Sequence, residues 1–379
     1  MHCNDGDPHT KVPVLVTACL DRVDIKSPVT MNLGTDLQLR GQVSWASKSS
    51  VQIDIDLVAK EAAAAGDCSM LTASMVFVHV QNGRAAPVNQ IKPDTEEERR
   101  RFDAGEAANR VRKLERVNSL KTSAPLSDES EKLHQAMMLG FGASAIALQS
   151  THMEAVELMQ PQERNRAGKI FGGFLMHEAY ELAYTAAASF AAISSAGSGV
   201  VGAPTVIAVD DISFSKPVSI GDVVIFDASV CYTGSNELLL QSKSSGDAVT
   251  YPDSIASVFQ IRVSTHILDL KSGQRNLANE FHFTFISRDP EAQPKFPVRA
   301  CAVAPVAPST YQDGMLWLSG RRRMLEAVEV SPPSPLCIHA CSPLGIHAWP
   351  CPRGGHACNV WPRPRGGARI YLRGTCVQR

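Results

Sequence analysis

Residues 17–29 (TACLDRVDIKSPV) and 206–218 (VIAVDDISFSKPV) of the 379-residue chain read as one β-strand passage written twice. With a two-residue insertion the echo runs on through 34–45 (GTDLQLRGQVSW) and 221–232 (GDVVIFDASVCY). Each copy then enters a further strand, 51–57 and 237–243, and a third, 71–81 and 256–269. The third is closed by Asn82-Gly83 or by Lys271-Ser272-Gly273, both turn chemistries. The spacing is far longer than a solenoid repeat, so the duplication predicts two domains of one fold. Any site built from such a pair has its parts in both halves.

Composition narrows what those domains do. With 37 basic and 38 acidic side chains the net charge is −1, which gives no electrostatic reason to expect nucleic acid or a membrane surface as partner. No apolar run is long enough to span a bilayer. The start, Met1-His-Cys-Asn-Asp-Gly-Asp-Pro, has neither an apolar signal core nor a basic amphipathic stretch, so no targeting segment is read there. Scattered cysteines in the body (Cys3, Cys19, Cys68, Cys231) suit a reducing compartment.

Along the chain, residues 1–93 hold the first set of strands, with period-2 alternation clearest in 51–57 (VQIDIDL). Residues 94–149 read as a charged helix and a polar linker. Thr95 with Glu98 makes a capping box and Glu97 precedes Arg101 by four, so a solvated linker helix is expected, followed by a flexible Ser-rich joint over 118–131. In 150–288, Phe171-Gly172-Gly173 precedes a long apolar helix in which Leu175, Ala179, Leu182 and Ala186 share a face. Strands come after it. The class is α+β, with a curled antiparallel sheet around a central helix in each copy, the first copy lacking its helix. Residues 289–329 read as a connector and C-terminal helix. The Pro/Gly/Cys-rich tail, 330–379, is expected to hold no packed structure.

Gln162-Glu163-Arg164-Asn165, then Ile170-Phe171-Gly172-Gly173-Phe174-Leu175-Met176, resembles the second hot-dog domain of the acyl-CoA thioesterase 9-like family, whose members are double hot-dog thioester hydrolases. Cys3 to Pro8, residues 17–29, 95–100 and 310–323 extend the resemblance, in the family's order, over about residues 1–326. It implies tandem hot-dog domains, hydrolysis of fatty acyl-CoA to fatty acid and CoA, a homo-oligomer, a mitochondrial setting and no cofactor.

The resemblance also marks the candidate site. Asn165 suits a positioning role, because its amide donates and accepts while staying uncharged. Gly173, at the helix start, lets a thioester approach backbone N–H groups, with Gly172 beside it. Turn formation by Asn165 and close packing by Gly172-Gly173 are the competing structural readings. Glu178 and Glu181 are the nearby carboxylates; Glu181 is the candidate proton acceptor, with a hydrogen-bonded or solvated structural carboxylate as the competing reading. In some relatives an acid stands one position before Glu181, where this chain has Tyr180. The family's opposing acid lies on the first domain's helix, upstream of the segment resembling residues 1–8; Asp5 and Asp7 are weak substitutes for it. Arg164, Arg166 and Lys216 are candidate contacts for CoA phosphates, with Lys243 and Arg262 behind them. Cys337, His339, Cys341, His347, Cys351, His356 and Cys358 lack regular zinc-ligand spacing, so no metal site is assigned.

Two other functions compete. A catalytically impaired subunit that binds acyl-CoA or assembles with active partners is favoured by the missing helix. A hydratase needs a His-and-acid pair, and here Phe171 stands where relatives carry His, with His177 one turn into the helix.

Overall fold

The computed structural model describes residues 14–25, 36–60, 68–81, 84–118, 124–140, 145–165, 168–194, 203–235, 257–288, 303–330 and 370–372. The expected strand at 237–243, Asp5, Asp7, Arg166, Lys243 and the Cys/His cluster of the tail lie outside them.

Period-2 alternation builds the first module from β1 (Val14–Ile25), β2 (Asp36–Ala46), β3 (Ser50–Lys60) and β4 (Cys68–Gln81), with the short β5 (Arg84–Ala85) on β4. In β3, Ile53 and Ile55 face Met75 and Ala73 of β4, while the intervening Asp54 accepts a hydrogen bond from Ser74 Oγ at 2.7 Å on the opposite face. The second module contains β7 (Met153–Leu158), β8 (Ala203–Phe214), β9 (Val223–Ser235), β10 (Ser257–Leu268) and β11 (Arg275–Arg288). Two short strands, β6 (Ile146–Ala147) and β12 (Val306–Ala307), pair with each other.

All the long strands join in one antiparallel sheet. Its order is β7-β9-β10-β11-β8 in the second module, continuing through β1-β4-β3-β2 in the first. The seam is β1 on β8, where Leu20 faces Ile212 and Arg22 faces Asp210. Around that seam β2 matches β9, β3 matches β10 and β4 matches β11. The third-strand equivalence expected from the sequence is therefore one strand out: residues 71–81 occupy the place of β11, not of 256–269. The strand of 256–269 is β10, the counterpart of β3.

Helix α1 (Glu96–Asn118) follows the first strand set, α2 (Ser127–Leu139) comes next, α3 (Gly172–Ser194) opens the second module, and α4 (Tyr311–Val330) follows the second strand set. Alanines at 179, 183, 186 and 187 let α3 lie close on the concave face, against Phe259, Ile261, Phe281, Phe283 and Phe285. Phe190 meets Phe259 at 5.5 Å between ring centroids and Tyr180 meets Phe283 at 5.9 Å.

The duplication extends to the convex face. At the start of α1, Glu98 accepts from the N–H of Thr95 while Thr95 Oγ1 accepts from the N–H of Glu98; Asp313 and Thr310 do the same at the start of α4. Ten residues after each threonine stands a glycine against the end of the matching strand. Gly105 lies on Trp45 of β2, and Gly320 on Cys231 and Tyr232 of β9. Helix α1 is thus solvated over most of its surface, as expected, but is also docked on its own sheet through Gly105, with Arg101 reaching Gln42. Nor is 118–131 joint throughout: α2 starts at Ser127 and is tied to α4 by Glu129, which accepts from Arg322 Nε and Nη2 at 2.6 Å. Burial would push the Glu129 carboxyl up, but the hydrogen bond from Arg322 outweighs it and holds the group below the usual range.

On the first module's concave face, no helix lies among the described residues. Leu39 is 72% exposed there and Leu37 42%. The far edge of the second module is covered in part by the tail, since β13 (Ile370–Leu372) pairs with β7, a departure from the expected absence of packed structure.

Candidate active site

The loop from β7 into α3 carries the residues singled out by sequence. Asn165 closes a tight turn: its N–H donates to Lys169 O at 2.6 Å, its carbonyl accepts from Gly168, and its side-chain Oδ1 accepts from the Lys169 N–H at 3.1 Å. Gly168, with φ +72°, supplies the left-handed residue that this turn needs. Lys169 is held in turn by Ser219, which accepts from its Nζ at 2.9 Å. Ile170 donates its N–H to Val218 O and Phe171 donates to Glu163 O, which brings the chain to Gly172 at a fixed angle. The turn reading of Asn165 is therefore real, and it fixes the loop in front of the helix.

Both glycines are tightly packed. A Cβ on Gly172 would lie 3.0 Å from the Phe214 ring, which packs edge-on against Phe281 at 6.0 Å. A Cβ on Gly173 would strike the ring of Phe171, which is 55% exposed. One glycine thus faces the core and the other an exposed aromatic side chain.

One turn on, His177 stands 3.6 Å from a carboxylate oxygen of Glu178 through Nδ1 and 3.6 Å from one of Glu181 through Nε2. Glu178 is buried and Glu181 half-buried, while His177 is exposed. The three form a compact acid–base group with donor types that a divalent metal also takes, an arrangement the sequence reading did not single out. Tyr180, at the position of some relatives' acid, is turned into the rings of Phe283 and Tyr184. Arg164 pairs by its backbone with Ile170, and Lys216 lies two residues beyond Phe214; both are exposed at the end of the module where α3 begins. Arg262 is committed elsewhere, 3.6 Å from Glu280 on the convex face. Burial pushes the Cys231 thiol up to about 11, which rules it out as a nucleophile near neutral pH.

A long helix cupped by a curled antiparallel sheet, with a Gly-Gly start beneath a short Asn-bearing turn, defines a hot-dog domain, here one of a tandem pair. Residues 167–239 match the Thioesterase superfamily model. The chain is 31% identical over 341 residues to acyl-coenzyme A thioesterase 2, chloroplastic, of Humulus lupulus, covering 86% of this chain and 69% of that protein. It is 30% identical over 324 residues to acyl-coenzyme A thioesterase 9, mitochondrial, of Homo sapiens, covering 81% of this chain and 63% of that one. It also matches a Staphylococcus aureus acyl-CoA hydrolase structure, solved with butyryl coenzyme A and coenzyme A, at 20% identity and TM-score 0.37, over 48% of this chain and 89% of that chain. The chain belongs to the acyl-coenzyme A thioesterase family. It spans roughly two thirds of the length of the two curated relatives just named.

Proposed function

We propose that this chain hydrolyses acyl-CoA thioesters at the N-terminal end of α3. The observation that carries this reading is the Asn165 turn leading into Gly172-Gly173, within the module that matches the thioesterase model. Unpaired N–H groups of a helix's first turn point outward and favour negative charge, so the N–H of Gly173 is suited to a carbonyl oxygen gaining charge. Asn165 holds the loop from which the thioester or the attacking water is aligned. Water oxygen bonds to the carbonyl carbon and the C–S bond breaks with its electron pair on sulfur. One water proton passes to the CoA thiolate and the other, by way of Glu181, to solvent. Arg164, Arg166 and Lys216 supply charge for the CoA phosphates.

Purified chain is assayed against a series of acyl-CoA chain lengths with a thiol reagent. Turnover that falls about a hundredfold in Asn165→Ala is expected, the scale of a lost transition-state contact. Absence of turnover in every preparation, with Asn165→Ala indistinguishable from wild type, defeats the reading. The exposed Leu37 and Leu39 favour a second reading, an acyl-CoA-binding subunit that is completed by another chain. Binding of a non-hydrolysable acyl-CoA analogue without turnover supports that reading. A homo-oligomer is expected on the same grounds and is checked by ultracentrifugation. The named relatives are organellar, one chloroplastic and one mitochondrial. A mitochondrial setting is proposed here and is checked by subcellular fractionation.

A further inference from the structure

Asn279, on β11, is 1% exposed, and neither its Oδ1 nor its Nδ2 has a hydrogen-bond partner among the described residues. Buried side-chain amides are almost always paired, so one that is not requires an account. Its place in the sheet supplies one. Asn279 lies directly opposite Phe214 in the β8–β11 register, and residues opposed in an antiparallel pair put their side chains on the same face. Phe214 points to the concave side, where its ring meets Phe281 and lies against Gly172. The Asn279 amide therefore lies on the concave face beside Phe214, the residue whose ring packs against Gly172 at the start of α3.

The first module shows what the fold alone asks for at this place. The echoed passages align Ile25 with Phe214, and Ile25 is paired with Leu71, the counterpart of Asn279. Leucine satisfies the architecture there. The polar residue occurs in the copy that has the Gly-Gly helix start.

We propose that Asn279 is a second donor of the active site, its Nδ2–H hydrogen-bonding the thioester carbonyl oxygen from the sheet side while the N–H of Gly173 approaches from the helix side. Charge developing on that oxygen during attack is then held by two donors that need no reorganisation. The exposed ring of Phe171 lies over Gly173, so its rotation off the helix start opens the approach. This rests on the hydrolase reading above for its substrate, and the test separates the two.

Asn279→Leu is compared with wild type in three measurements: steady-state kinetics, thermal unfolding, and the 13C resonance of a bound ketone analogue of acyl-CoA, labelled at the carbonyl, in which CH2 replaces sulfur. The expected result is a kcat lower by about 10²–10³-fold, little change in KM, an undiminished melting temperature and an upfield move of the bound carbonyl resonance. Asn279→Ser serves as the second variant should leucine prevent folding. Unchanged kcat in a folded variant overturns the proposal. So does a parallel fall of kcat and melting temperature with the carbonyl resonance unmoved, which marks a purely structural amide. Should wild type bind the analogue and fail to turn over substrate, the resonance alone decides, so hydrolysis can fail while the Asn279 contact stands. A wild-type protein that binds no analogue refutes the contact.

Discussion

Replacing Gly320 by alanine puts a methyl carbon 2.7 Å from Cys231 Sγ, 2.9 Å from Tyr232 Cβ and 3.3 Å from Cys231 Cβ, all on buried residues. Cys231 Sγ can turn about its Cα–Cβ bond, but Tyr232 Cβ is fixed by the backbone, so no rotamer change removes the whole conflict and α4 must lift from β9. Forcing an extra methyl into a packed contact costs about 1–3 kcal/mol, and a clash with such rigid atoms belongs in the upper half of that range. Against it stands the gain of about 1 kcal/mol from alanine over glycine in a helix interior. The net is a loss of about 1–2 kcal/mol. Gly105→Ala meets Trp45 Cβ at 2.5 Å and Cγ at 3.0 Å and is expected to lose a similar amount. Urea unfolding measures both as a lower midpoint with unchanged slope. Amide exchange places the loosening in α4 and β9 for one variant, and in α1 and β2 for the other. The sign is the test: were either alanine to raise stability, helix propensity would be acting alone and that helix would not be docked through its glycine.

Two further outcomes concern side-chain pairs remote from α3. Arg322→Ala leaves the buried Glu129 without its bidentate partner and is expected to lose about 2–3 kcal/mol, somewhat less than a fully buried pair because Arg322 is partly exposed. A double-mutant cycle with Glu129→Gln that shows no coupling refutes it. His152 Nε2 stands 2.9 Å from Asp227 Oδ1, and this hydrogen bond raises the His152 pKa. Its stabilisation is complete below the ordinary value of 6.5 and is lost as pH rises through the higher folded value. Burial pushes Asp227 up, but its bond to His152 and nearby positive charge leave it lowered, so its own contribution is lost only in acid, as pH falls through that lowered value. Asp227→Asn is expected to lower the His152 titration midpoint seen by NMR and to flatten the decline of stability as pH rises above the ordinary histidine value; an unmoved midpoint counts against the pairing.

The sheet of the first module was legible because 51–57 alternates cleanly, and the α3 helix because its alanines and leucines recur at helical spacing. The capping box at Thr95 and Glu98 was readable for the same local reason. The docking of the helix it starts was not, since a glycine ten residues into a charged helix reads as a weakness until Trp45 is seen beneath it. The Thr310 and Asp313 box escaped notice although it repeats the first. Strand equivalence slipped by one because alternation marks a strand without saying which neighbour it pairs with. Of the candidate site, the Asn165 turn and the Gly-Gly start are local and were visible. Asn279 was overlooked for another reason: alternation with Phe281 and Phe283 puts it on their face, but its place opposite Phe214 comes from the long-range pairing of β11 with β8, which no local pattern predicts.

The seam between the modules has a mechanical consequence. Where β1 meets β8, the two halves are joined by a ladder of main-chain hydrogen bonds from Cys19 to Asp24, with no interdomain cleft along that line among the described residues. Bending there would break several of those bonds at once, so the halves do not open and shut around a substrate as hinged lobes do. On the site proposed at the start of α3, admission and release fall to small parts, the ring of Phe171 and the turn at Asn165. On that proposal, acyl-chain selectivity is to be altered by substituting side chains beside the start of α3 and not by loosening the seam.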